Sequence, residues 1–363
     1  MHWLPVILII PYVILLLKNY RSLLNLKTFN DEVNPATFVS VIVACRNEQK
    51  NLPVLLNDLA LQNYPDHLFE VIIVNDKSTD RTPEIASGFT GIRNLLAINN
   101  KGAGKKQALR TGITASKGNL ILTTDADCTM GKNWIRTIAA FYEINRPDMV
   151  ICPVKLKSVP GIFGTFQELE FMSLQGITAA SALSENATMC NGANLAFTRD
   201  VYLNHSGNLH DEINSGDDIF LLHSLKSEDT SKLLWLESSE VQITTESSLT
   251  LRSFLKQRRR WISKSKAYKD RYTIVLGIVT FITIILELAY FAASLINSDL
   301  IIVFFTILII KSVPDFLILF NTSGRYNKRK LMWWLFPAQV IYPFYVISVV
   351  TYSLIFREKL IAD

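Results

Sequence analysis

The chain of 363 residues has little of what staples or metallates a small fold. Its four cysteines, Cys45, Cys128, Cys152 and Cys190, fall at no paired spacing. Neither a disulfide framework nor a zinc site is indicated, and reducing cytosol is the natural home. Histidine is scarce as well. His210 and His223 have no partner one helical turn away, which argues against histidine ligation and for surface or packed positions. A broad basic face is also missing. Formal net charge is +5, from 37 basic and 32 acidic residues, yet Lys256 to Arg271 alone holds eight basic residues against one acid. That stretch carries +7 and leaves −2 for everything else. Nucleic-acid binders spread Lys and Arg over a folded face, whereas a cluster directly ahead of an apolar run is placed for anionic headgroups. Membrane lipids are the expected partner, and nucleic acid is not.

What the chain has in quantity is apolar sequence, 49% of residues with mean hydropathy +0.22. Four segments approach the roughly 20 residues needed to cross a bilayer: Trp3 to Leu17, Thr273 to Ile296, Leu300 to Phe320 and Leu331 to Phe356. The first lacks a basic lead and a small-residue cleavage site, so it reads as a retained anchor rather than a signal peptide. Lys18, Arg21 and Lys27 follow it, Lys264 to Arg271 precede the second span, and Arg325, Lys328, Arg329 and Lys330 separate the third from the fourth. By the positive-inside rule these flanks are cytoplasmic. The expectation is a multi-pass protein of the cell inner membrane, its large domain facing the cytoplasm and both chain ends outside; Arg357 and Lys359 run against the rule at the last span. Glu287 in the second span, and Lys311 with Asp315 in the third, are charges that cost about 2.5–3.5 kcal/mol each at mid-membrane unless paired. Two readings stand: a structural Glu287–Lys311 pair, or a role beside a translocating or lipid-linked substrate.

Between the first and second spans, β-rich runs alternate with amphipathic stretches. Phe38 to Cys45, Phe69 to Asn75, Asn94 to Ile98 and Asn119 to Thr124 read as buried strands, dense in Val, Ile and Leu. Leu52 to Leu61, Thr82 to Ser87 and Lys105 to Ala115 read as helices, the second opened by Asp80 and Thr82-Pro83. This alternation predicts a mostly parallel sheet with right-handed crossovers and a ligand at the carboxyl ends of the strands. Polar residues fall there: Arg46-Asn47-Glu48, Asn75-Asp76 and Asp125-Ala126-Asp127. Carboxylates gathered at one edge repel by about 4 kcal/mol per close pair at an effective dielectric near 20, unless a cation or donor-rich ligand neutralises them. Mg²⁺ or Mn²⁺ on a diphosphate would do so, and Asp125 and Asp127 converge only if the chain turns at Ala126.

Two later segments add chemistry. Asp217-Asp218 after Gly216 suits the N-terminus of a helix over Ile219 to Leu225, where the macrodipole favours acids. On the amphipathic stretch Phe254 to Tyr268, Gln257, Arg260 and Trp261 stand at i, i+3 and i+4, on one helical face. Arg258, Arg259, Lys264 and Lys266 are expected to face lipid.

Val39 to Ala44 with Arg46-Asn47-Glu48, Val74 to Thr82, and Gly104-Lys105 with Ala108-Leu109 resemble the family 2 glycosyltransferases of GT-A fold. Asp125-Ala126-Asp127, Gly216-Asp217-Asp218 and Gln257 to Trp261 resemble the DXD, acidic-base and QXXRW signatures of the family's membrane branch, which holds cellulose, chitin and hyaluronan synthases and ceramide glucosyltransferases. The resemblance covers about residues 38 to 265, with two departures: Asn75 where an acid is frequent, and Asp217 where Glu is usual. It implies an α/β, Rossmann-like GT-A domain over 36–250, after an anchor at 1–20. An interfacial segment over 251–272 and transmembrane helices over 273–296, 300–320 and 331–356 would follow.

The resemblance also implies site roles. Glu48 and Asp76 would bind the uridine end of a UDP-sugar, with Lys105 there or at phosphate. Asp125 would orient the donor and Asp127 hold Mg²⁺ or Mn²⁺. Asp218, rather than Asp217, would take the acceptor proton, giving an inverted β product. Gln257 and Arg260 would serve the departing phosphates. Trp261 would stack the acceptor sugar, and Gly192, in Asn191-Gly192-Ala193-Asn194, would lie under it or simply form a tight turn. Extension of a β-linked polysaccharide or oligosaccharide is the first functional expectation, with homo-oligomers or an export partner helping passage. Single-sugar transfer to a membrane lipid is the second, and a catalytically silent nucleotide-sugar sensor or assembly partner the third.

Overall fold

The computed structural model describes residues 4–30, 33–213, 215–228 and 231–355. Trp3 and Phe356, taken above as span ends, and Arg357 and Lys359 lie outside the described residues. The chain divides into two compact units: Lys27–Lys157 with Met189–Glu246, and Met1–Leu26 with Ser158–Thr188 and Ser247–Arg357. The sequence boundaries 36–250 do not foresee that 158–188 groups with the apolar helices.

The first unit is built on a seven-stranded sheet of order β3-β2-β1-β4-β7-β5-β8. Strands β1 (Val39–Cys45), β2 (Phe69–Asn75), β3 (Leu95–Asn99) and β4 (Leu120–Asp125) are parallel. Their register sets Cys45 beside Asn75, Asn75 beside Asn99 and Ala44 beside Asp125, so four strand ends share one edge. Interiors of β1, β2 and β4 are almost wholly buried, as continuous Val/Ile/Leu runs require in a sheet covered on both faces. The remaining strands are three or four residues long: β5 (Met149–Ile151), β6 (Val154–Leu156), β7 (Leu195–Thr198), β8 (Leu233–Trp235) and β9 (Ile243–Thr245). β7 runs antiparallel between β4 and β5, and β6 pairs with β9 in a second small sheet.

Helices α3 (Leu52–Ala60), α4 (Thr82–Gly88) and α5 (Lys105–Ala115) fall near their expected places, and α6 (Trp134–Asn145), not foreseen from the sequence, follows β4. α5 lies against β1 and β2 because Gly112 lets it: a Cβ there would come 2.6 Å from Ile42. That close seating brings the first residues of α5 to the sheet edge where the acids are. Two further helices, α8 (Arg199–His205) and α9 (Asp217–Lys226), follow β7.

The second unit holds α1 (Leu4–Leu8), α2 (Ile10–Leu24), α7 (Ile162–Leu183), α10 (Leu251–Lys264), α11 (Arg271–Ser294), α12 (Ile301–Arg325) and α13 (Leu335–Ile355). Four stretches are long and apolar enough to cross a membrane: Val6–Leu24, Arg271–Ser294, Ser298–Arg325 and Arg329–Ile355. α2 runs on past Leu17 to Leu24, beyond the hydrophobic run alone. All four contribute to one buried polar cluster. Lys311 Nζ lies 3.5 Å from Glu287 and 3.4 Å from Asp315, and donates to Gln339 Oε1 at 2.5 Å. Gln339 Nε2 and the Tyr12 hydroxyl both donate to Asp315, at 2.8 and 2.5 Å. The Glu287–Lys311 pair of the structural reading is present, within a wider network that gives the charges among these apolar helices polar partners.

Candidate active site

At the sheet edge the loops after β1 and β2 are laced together. Asn47 and Lys77 both take positive φ, 59° and 55°. Asn47 Oδ1 accepts the Thr79 amide at 2.8 Å, while the Glu48 amide donates to Thr82 Oγ1 at 2.7 Å and the Gln49 amide to Asp80 at 3.1 Å. Asp76 is buried, and its carboxylate accepts from Asn100 Nδ2 at 2.7 Å and from the Gly104 amide at 3.0 Å. Its charge therefore orders the loop that begins α5, a task additional to the donor contact expected of it. Glu48 is half-buried and accepts from Asn51 Nδ2 at 2.8 Å. Burial raises its pKa; the Asn51 bond opposes this, and the charges of Asp127, Asp125 and Asp80 add to the rise.

The chain turns at Ala126, closed by the Cys128 amide on the Asp125 carbonyl at 3.1 Å. Asp125 pairs with the Lys105 ammonium, the two side chains 33% and 42% exposed. Asp127 accepts from Thr245 Oγ1 at 3.3 Å. Its pKa is raised by burial and by Asp125, against the pull of Lys105 and Thr245. Burial works against the charge of Lys105, but Asp125, Asp217 and Asp218 outweigh it and hold its pKa above the ordinary lysine value. Lys105 thus stands in one electrostatic neighbourhood with acids from both β4 and α9.

Asp217 and Asp218 open α9 behind Gly216, whose φ is 95°. Asp218 Oδ2 accepts the Gly192 amide at 2.9 Å, and Oδ1 accepts the Ile219 amide at 2.8 Å. The Gly192 carbonyl in turn accepts from Thr123 Oγ1 at 2.7 Å, two residues before Asp125. A short hydrogen-bonded chain therefore runs from the end of β4 through Gly192 to Asp218. A Cβ at Gly192 would meet Asp218 atoms at 3.4 Å or more, ordinary contact, so the amide rather than the absent side chain matters there. Asn194 lies beneath, buried, accepting from Trp134 Nε1 at 2.9 Å.

Among the described residues no group of three or more His, Cys, Asp or Glu side chains closes on one cation position. A Mg²⁺ ion commonly uses only one or two carboxylates and takes its other ligands from substrate phosphates and water. Asp127, whose charge is opposed by burial and by Asp125 while Lys105 serves Asp125, fits that need.

Gln257, Arg260 and Trp261 belong to the helical unit. The expectation that Arg258 faces lipid is wrong. Its guanidinium is 4% exposed and forks onto Glu170 of α7, Nε at 3.1 Å and Nη2 at 2.5 Å. It also donates to Gln257 Oε1 at 2.5 Å and lies over the rings of Phe254 and Trp261, 4.4 and 4.1 Å from their centroids. Glu170 accepts the Tyr345 hydroxyl as well, at 3.0 Å. A basic side chain one turn from two aromatics on the same helix face is the sequence signal that could have flagged it.

Residues 40–205 match the family Glycosyl transferase family 2. Poly(ribitol-phosphate) beta-N-acetylglucosaminyltransferase TarS of Staphylococcus aureus is 34% identical over 126 residues, 34% of this chain and 21% of that protein. Beta-monoglucosyldiacylglycerol synthase of a Nostoc species is 27% identical over 251 residues, 66% of this chain and 51% of its own length. The chain thus spans about half or less of these relatives. In fold it is similar to mannosyltransferase PcManGT from Pyrobaculum calidifontis, solved with GDP-Man and Mn²⁺: TM-score 0.54 at 17% identity, over 94% of this chain and 98% of that one. The mostly parallel sheet with one N-terminal and three C-terminal apolar helices is therefore a GT-A-like architecture.

Proposed function

We propose that the protein is an inverting glycosyltransferase that moves a sugar from a UDP-sugar to an acceptor hydroxyl at the cell inner membrane, its sheet unit on the cytoplasmic side. The observation that carries this reading is that Lys105 feels the charges of Asp125 at the end of β4 and Asp218 at the start of α9, with Asp127 just past β4 in the same neighbourhood, in a chain whose residues 40–205 match Glycosyl transferase family 2. Glu48 and Asp76 serve the nucleoside, Asp125 and Lys105 the sugar and diphosphate. Asp127 would hold Mg²⁺ or Mn²⁺, which supplies charge neutralisation on the diphosphate. Asp218, fixed by two amides, accepts the acceptor proton as that oxygen bonds to C1 and the C1–phosphate bond breaks. A carboxylate is a weak base toward an alcohol, so rate comes from placement. Gln257 and Arg260 at the phosphates, and Trp261 and Gly192 at the acceptor, complete the proposal on the motif resemblance.

For the acceptor, a growing saccharide follows from the Gln257 to Trp261 motif. A membrane lipid is the second reading, favoured by the likeness to the Nostoc synthase over 66% of this chain. Purified protein in lipid with Mn²⁺ and labelled UDP-glucose or UDP-N-acetylglucosamine tests all of it. Long products support the first acceptor, one labelled lipid the second, and UDP binding without transfer sinks the enzymatic reading.

A further inference from the structure

Helix α5 opens with two adjacent lysines that act in different places. Lys105 meets Asp125, as described. Lys106, rotated by about 100° on the helix, is 5% exposed. Its ammonium donates to three main-chain carbonyls, Leu209 at 2.6 Å, His210 at 2.8 Å and Ile213 at 2.8 Å. The ring of Phe220, on α9, lies 5.4 Å from the same nitrogen. One turn along, Arg110 Nη2 donates to the Ser206 carbonyl at 2.9 Å, and its guanidinium pairs with Asp211 at 3.0 Å. Apart from the short turn Ser206–Asn208, the stretch 206–213 has no regular structure. α5 holds four of its carbonyls and one of its carboxylates. Gly216 and Asp217-Asp218 follow within a few residues.

A buried ammonium is costly unless fully bonded, and here its bonds go to backbone that leads into the acidic pair. The same helix therefore fixes both sides of the site, the donor-side acid through Lys105 and the acceptor-side acid through Lys106. We propose that Lys106, backed by Arg110, is a positioning residue for Asp218: by caging the carbonyls of 209–213 it sets where the acceptor-side carboxylate stands relative to Asp125. This rests on the proposed function and adds a residue that no motif names.

The test compares full-length wild type, Lys106→Met, Lys106→Arg and Arg110→Gln in lipid nanodiscs. It measures steady-state transfer from the active UDP-sugar, binding of UDP alone, and amide exchange over 206–213. Lys106→Met should lower kcat about 10²-fold, the scale of a 1 Å misplacement, with donor KM and UDP affinity within about twofold and protection of 206–213 reduced. Lys106→Arg should recover part of kcat, and Arg110→Gln should lose less in the same direction. Full kcat in Lys106→Met, or a loss of UDP binding in step with kcat, overturns the proposal. If that variant does not fold, Arg110→Gln decides: unchanged kcat with unchanged exchange overturns it. A wild type that binds UDP but transfers to no acceptor sinks the proposed function before any variant is compared.

Discussion

The two units treat charge in opposite ways. In the sheet unit Asp125 and Lys105 meet with a third or more of each side chain exposed, and Asp127 stays half-buried with its proton affinity raised. In the helical unit Arg258 pairs with Glu170, and Lys311 with Glu287 and Asp315, all of these side chains buried or nearly so. Charges that must meet a substrate keep capacity for it, while charges that must survive among apolar helices are closed off. On the proposed function the first kind sets activity, and the second is expected to set stability.

Substitutions in the two units should therefore separate these properties. The largest stability effect is expected from Lys311→Met, which leaves Glu287 and Asp315 without their cation: about 3–5 kcal/mol, by analogy with broken buried pairs. Thermal unfolding in detergent measures it, and a loss under 1 kcal/mol would show the cluster to be dispensable. Asp127→Asn should cost transfer about 10²–10³-fold, in the range of other lost electrostatic stabilisers. Its melting temperature should hardly move, and a full response to Mn²⁺ in that variant would remove Asp127 from the metal role. Arg258→Met should destabilise the helical unit by leaving the buried Glu170 without its cation; adding Glu170→Met should restore much of the loss, since a well-packed apolar replacement of a buried pair is often neutral. No recovery in the double variant would contradict this.

A pH effect comes next. Asp127 and Glu48 have raised pKa values, and in its proposed role Asp127 acts ionised, so transfer should fall as pH drops through a value above the ordinary aspartate value of about 3.9. The acid limb of kcat/KM reports this for the free enzyme, and a limb at or below the ordinary value argues against it. The smallest effect belongs to Lys157→Ala. Its pair with Glu246 is exposed, and the loss should stay under about 1 kcal/mol.

The four long parallel strands and their crossover helices were legible because continuous apolar runs and early-helix prolines are local signals. β5 to β9 were not, being three or four residues whose pairing depends on partners far along the chain. α7 was missed for a related reason: its buried Gln167, Glu170 and Gln175 blur an apolar face, and Glu170 finds Arg258 only across 88 residues. The acids at the strand ends and at α9 could be read from motif and topology. Lys105 and Lys106 are indistinguishable in composition, and only distant carbonyls show that the second is structural to the acidic pair. Asp76 likewise revealed its hold on Gly104 only in three dimensions.

On the proposed function Asp218 is the acceptor-side base of a site that binds nucleotide without it. The direct measurement is UDP binding and sugar transfer by Asp218→Asn, side by side with wild type in lipid. The expected result is unchanged UDP affinity with transfer abolished; near-normal turnover, or UDP binding lost together with transfer, removes Asp218 from that role.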